Sequence, residues 1–543
     1  MYFLFFLISF SLIGYGLFIK KILQIDYSNF GVLGLLGLTF LCFFSYASSI
    51  FVKHGFILNS IFLIIGISLF LISIKKIDHL KKNIISFLFI FSILLIFISV
   101  GKNHDDFGYY HFPYIALITE FSHPIGIGQL NNGFRSPSSL FFIPSMFYLP
   151  KIEYYLFHIT PALILGFSNL ILLEKIFNKK EFDNNKFTTY LSLLSFIFLN
   201  IFFYRLAEHG TDRSGMILII LAIIYLLSLI NNTQLSRSQE NENIIKLFSI
   251  LVCFAVSIKP FYLLNLSLFL IIIYYSHSRI IFKNLLFTKA FFYCSSFLIF
   301  TIFYTFINSS CLAFPLTITC FEDVSWSLNK KLINDTKIWF ELWSKGGANP
   351  SFVVDDRSEY ISGFNWLSNW INIYFFNKVS DYFLGLIFLI FIVCVSFYIK
   401  NDFTLKSQKK YYLVYIFLSL MFIEWFYNHP SLRYGGYHII ALLMFIPSSL
   451  ILSRINLDYE VYAKRSMILL AVTILIFLSR NVSRLNNEYN QYGYNIFNNS
   501  NFLFIGGDKK VYFRYSIHLE ENKNKYKKID FFGKKIINTT FQD

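Results

Sequence analysis

The chain has 543 residues, 56% of them hydrophobic and only 14% charged, with a formal net charge of +16. A soluble chain carries roughly a quarter charged residues, so this one has too few charges to cover a water-facing surface. Lys and Arg are scattered through short segments rather than gathered into a stripe, which argues against a nucleic-acid partner. The six Cys include no Cys-x-x-Cys pair, so no zinc or thioredoxin-type motif is present.

Apolar blocks of about 15–22 residues recur along the chain, the length that crosses a hydrocarbon core of about 30 Å. The predicted fold class is an all-α polytopic membrane protein with about fourteen transmembrane helices. These fall near 2–19, 30–52, 55–74, 83–100, 153–174, 187–204, 216–230, 247–258, 261–276, 289–309, 381–399, 411–427, 437–453 and 466–480. Residues 1–19 lack a basic leader and an Ala-x-Ala site, and read as a first helix rather than a cleaved signal peptide.

Loop charge orients the helices. Loops 20–29, 75–82, 175–186, 231–246, 277–288, 400–410 and 454–465 hold 21 Lys/Arg against 9 Asp/Glu. The alternate loops 53–54, 101–152, 205–215, 259–260, 310–380 and 428–436 hold 14 against 12, although they are much longer. The first set is therefore expected in the cytoplasm and the second outside. The tail 481–543 falls outside on this count despite its lysines, a weak indication because long tails obey the rule poorly.

The first outer loop opens on His104, Asp105, Asp106 and His111, with Phe107, Tyr110, Tyr114, Leu117 and Phe121 at helical spacing. That pattern predicts an amphipathic helix lying in the membrane interface, and 141–148 reads as a second surface or re-entrant helix. Either carboxylate suits a helix cap. An acidic pair held at a partly desolvated surface beside two imidazoles also suits general-base chemistry. Arg135, later in the loop, is a candidate phosphate ligand or a headgroup-facing cation.

The next outer loop carries Arg205, Glu208, His209, Asp212 and Arg213. Glu208, His209 and Asp212 are the residues a divalent cation would use, although their spacing matches no dedicated metal motif, and no metal site is assigned. Lys259 sits between two helices with almost no loop. A lysine there either snorkels or pairs with a ligand phosphate. Loop 310–380 holds Cys311 and Cys320, a disulfide or two free thiols, and five of the six Trp, which suit sugar faces as well as interface anchoring. In the turn 428–436, Arg433 is suited to bidentate phosphate binding.

An acidic pair just after a helix (Asp105-Asp106, followed by Tyr109-Tyr110-His111), a first outer loop of two short helices, and a late outer Arg433 together resemble the GT-C superfamily of integral membrane glycosyltransferases. The pattern can be laid over residues 83–480, and is most like bacterial membrane proteins of surface-polysaccharide loci. Three helices precede the one that leads into Asp105-Asp106 here, whereas most members of the superfamily place the acidic motif after their first span.

The resemblance implies a GT-C-like core at 83–480, preceded by helices in 1–82 and followed by a polar tail at 481–543. It implies sugar transfer from a polyprenyl-phosphate donor to a glycan or lipid acceptor, on the extracytoplasmic face of a bacterial inner membrane and with inversion. Asp105 or Asp106 would be the base. His104, His111, Arg135, Arg205, Glu208, His209, Asp212, Lys259 and Arg433 would bind substrate. A transporter of lipid-linked sugars, or a repeat-unit polymerase or ligase, is the alternative.

Overall fold

A computed structural model describes residues 1–100, 106–206, 210–231, 239–275, 288–398 and 411–492. Among these the chain is helical, with no strand beyond two isolated bridges. Among the described residues, nine helices are long and apolar enough to cross a membrane, and four shorter apolar ones accompany them: Lys186–Phe202, Pro260–Tyr275, Tyr412–Asn428 and Gly436–Leu452. The protein is membrane-embedded, as its composition predicts.

Two apolar segments depart from plain α-helix for nine residues each. Pro260–Leu268 is 3-10 and continues into an α-helix at Phe269–Tyr275. The larger rise of a 3-10 turn lets these sixteen residues reach about 28 Å, close to a full hydrocarbon core. Leu367–Phe397 is a single run of 31 residues that passes through a π segment at Ile371–Val379. The sequence places only its second half in the membrane.

One apolar core runs from Phe5 to Leu485 and includes the N-terminal helices. Tyr2–Leu23 and Phe30–Ser49 touch backbone to backbone. A Cβ on Gly16 would lie 1.9 Å from Leu33 O, and one on Gly37 1.9 Å from Leu12 O. Close approach at small residues is how apolar helices associate when no water is there to drive them together.

The expected first-loop helix forms as a π turn Phe107–His111 leading into Phe112–Glu120, but residues 112–119 are all buried, as is the short helix Ser139–Ser145. Neither lies on a membrane surface. The polar atoms that would have faced headgroups are used inside: Tyr114 Oη bonds His123 Nε2 at 2.8 Å, and Asn308 Nδ2 donates to Tyr114 Oη and Phe134 O.

Among the described residues, hydrogen bonds join loops of each predicted set to one another. At one end His54 Nδ1 bonds Ser145 Oγ at 2.6 Å, Gln129 donates to Ser327 O, and Trp370 Nε1 donates to Pro430 O. These join the loops expected outside. At the other end Lys246 donates to Gln24 O, Lys186 to Leu457 O, and Tyr459 to Phe177 O, joining loops of the basic set. The helix Tyr459–Tyr492 starts at the basic end, and its Arg480 reaches Ile201 O and the Tyr204 ring at the first end.

Candidate functional site

Four ionisable residues separated by up to 327 positions meet at the first end. Arg433 Nη2 donates to Asp106 Oδ2 at 2.6 Å, and its Nε donates to Asp212 Oδ2 at 2.6 Å. Lys259 Nζ lies 3.0 Å from the other oxygen of Asp212. Each comes from a different loop of the set expected outside.

Local structure explains each placement. Asp212 stands in the first turn of Thr211–Asn231, where a carboxylate complements the helix dipole. Tyr262, fully buried on the 3-10 segment, donates its hydroxyl to Asp212 O at 2.6 Å. Its ring lies flat on the helix because residue 215 is Gly, where a Cβ would come within 2.1 Å of Tyr262 Cε2. Lys259 is the N-cap of that same 3-10 segment, so one element positions both Lys259 and Tyr262.

Arg433 sits in the short 3-10 turn Leu432–Tyr434. Trp370 Nε1 holds this turn through Pro430 O at 2.9 Å and Trp425 Nε1 through Ser431 O at 2.8 Å, while Leu432 N donates to Tyr374 Oη at 3.0 Å. Trp343, on the helix Lys330–Lys345, lies 5.8 Å from the guanidinium and 5.2 Å from the Tyr434 ring. Trp343, Trp370 and Trp425 thus build the seat of Arg433, a use that their sequence spacing does not signal.

The site is graded in exposure. The Asp212 side chain is 8% exposed, whereas that of Asp106 is 29% exposed, and Asp106 makes no capping bond to the π turn that follows it. Burial alone would lower the Arg433 guanidinium, but Asp212 and Asp106 outweigh it and hold it above its ordinary value. Burial, with Asp106 next, raises the Tyr110 hydroxyl, so it stays protonated. Arg433 spends one Nε and one Nη2 donor on carboxylates, and its remaining Nη1 and Nη2 hydrogens can reach an oxyanion.

The other candidates lie elsewhere. Arg135 is buried, donating to Gly128 O, Asn132 Oδ1 and Thr336 Oγ1 and stacking on Phe314 at 5.7 Å, so it ties the first loop to the long one. His111 is buried with its ring against Tyr110 and Phe141. Arg205 is exposed, and Arg213 stacks on Phe203. His104, Asp105, Glu208 and His209 lie outside the described residues. Cys311 and Cys320 are disulfide-bonded. Among the described residues no three His, Cys, Asp or Glu side chains gather as metal ligands. Asp106 and Asp212 each face a cation.

The family described as Domain of unknown function (DUF8201) matches residues 1–441. The chain belongs to that family. The DUF8201 match takes in all four residues of the cluster and the N-terminal helices, and ends within the helix that follows Arg433. No curated protein and no solved structure matches the chain.

Proposed function

We propose that the protein transfers a sugar from a polyprenyl-phosphate donor to a hydroxyl of a glycan or lipid acceptor, on the extracytoplasmic face and with inversion. The observation that carries this reading is the Asp106–Arg433–Asp212–Lys259 cluster at one end of a membrane bundle. The low Lys/Arg content of the loops at that end supports the outer face, and a disulfide among them suits an oxidising compartment.

The donor phosphate binds the remaining N–H groups of Arg433, with Lys259 adding charge. Asp212, buried and engaged at both oxygens, holds the two cations in place. The bound phosphate shares the charge of Arg433 and weakens its hold on Asp106, which then acts as base, together with or in place of its neighbour Asp105. Its oxygen takes the acceptor proton while the hydroxyl oxygen bonds to the anomeric carbon. The bond from that carbon to the phosphate oxygen breaks, and the lipid phosphate leaves with the electron pair, stabilised by Arg433.

Purified protein given polyprenyl-phosphate sugars tests the base. Asp106→Asn is expected to slow release of lipid phosphate by about 10²–10⁴-fold while leaving donor binding near wild type. Equal rates in wild type and Asp106→Asn would remove Asp106 from the mechanism.

A further inference from the structure

The long loop contains a feature that the site does not use. The membrane-spanning helix Lys289–Ser309 covers about 31 Å, the thickness of a hydrocarbon core, and presents Phe292, Ile299, Ile302 and Phe303 outward. The chain therefore reaches the bilayer boundary at Ser310, which turns it through a left-handed φ of 61°. There the Cys311–Cys320 disulfide closes a short loop whose outer side carries Leu312, Leu316, Ile318 and Phe321, all exposed, with Ile318 94% exposed. No charged residue occurs between Cys311 and Phe321, and Glu322 and Asp323 follow at once.

Six backbone N–H groups of this loop are bonded locally. Leu312 N donates to Thr319 O, Leu316 N to Ala313 O, Thr319 N to Leu316 O, Cys320 N to Thr317 O and Phe321 N to Ser310 O. Ala313 N donates to Thr319 Oγ1, which donates back to Ala313 O and Leu316 O, and Pro315 has no N–H to place. Each of these bonds lowers the cost of moving the loop out of water. On its inner side Cys311 and Phe314 pack on Leu328 and Ile333, so the exposed side chains cannot fold inward.

We infer that loop 311–321 dips its apolar tip into the lipid at the boundary of the bilayer, continuing the lipid-facing side of Lys289–Ser309 and anchoring the long loop that bears Trp343. This does not depend on the transfer reaction. The partner is lipid rather than a second copy because the patch is continuous with a lipid-facing helix and bounded by an acidic pair.

Ile318→Trp in nanodiscs tests it, with Ile318→Phe subtracted to remove the native tryptophan emission. The substituted position is almost fully exposed, so the fold tolerates both variants. The expected result is a blue-shifted difference emission, lost in lipid brominated near the upper acyl chain and insensitive to aqueous iodide. Red emission quenched by iodide would place the loop in water and overturn the inference. Emission quenched by neither, in discs that contain two protein copies, would assign the patch to self-association and overturn it equally.

Discussion

Arg433 spans two carboxylates that would otherwise face each other as like charges. A charge-assisted hydrogen bond is worth about 1.5–3 kcal/mol, and partial exposure of Arg433 puts each of these at the lower end. Arg433→Ala is therefore expected to destabilise the protein in detergent unfolding, and Asp212→Ala to do so as well. The double variant should lose less than the sum, with a coupling of about 0.5–3 kcal/mol; strict additivity would show that the contact contributes nothing. Arg433→Lys is expected to restore charge without restoring the bridge, because an ammonium lacks the planar fork that serves both acids. These four residues were legible in the sequence because an ionisable group at the edge of an apolar helix is costly unless it has a partner. Trp343 and Tyr262 were not, since an aromatic in such a chain suits lipid, core or interface equally well. Arg135 fitted a phosphate ligand only until its three protein acceptors were visible.

At the level of elements, the site depends on how the 3-10 segment Pro260–Leu268 lies on Thr211–Asn231. Gly215→Ala inserts a methyl where Tyr262 rests and is expected to displace the hydroxyl that bonds Asp212 O, lowering turnover by about tenfold or more through misplacement of Asp212 and Lys259. Thermal unfolding should move much less, and an unchanged rate would show that Tyr262 does not position the acid. The turn 50–55 supplies a pH test. Burial lowers His54 from its ordinary value of 6.5 to about 3, and its nitrogens are taken by Ser48 and Ser145. The unfolded chain binds this proton below about 6.5 and the folded chain does not, so its stabilisation is present above that pH and is lost as pH falls toward 3. His54→Gln should flatten the unfolding midpoint across that window, whereas an unaltered slope would exclude His54 as the source. The sequence located most helices by their apolar blocks. It missed the first part of the run beginning at Leu367, where Trp, Asn and Lys dilute the hydropathy, and it read Phe112–Glu120 as amphipathic although residues 112–119 are all buried.

For the whole molecule, the grouping of the described loops follows Lys and Arg bias, a property of composition that needs no contact to be seen. The meeting of Asp106, Asp212, Lys259 and Arg433 at a single point was not, since it depends on which helices pack together across hundreds of residues. That meeting is what joins an acid, a phosphate-binding cation and a membrane surface into one proposed reaction. Wild-type protein in proteoliposomes, supplied with a panel of polyprenyl-phosphate sugars and hydroxyl acceptors, tests this most directly. The expected result is release of polyprenyl phosphate matched by glycosylated acceptor of inverted configuration, from donors presented on one face only. Lipid-linked sugar that crosses the bilayer intact, with no lipid phosphate released from any donor, would contradict it.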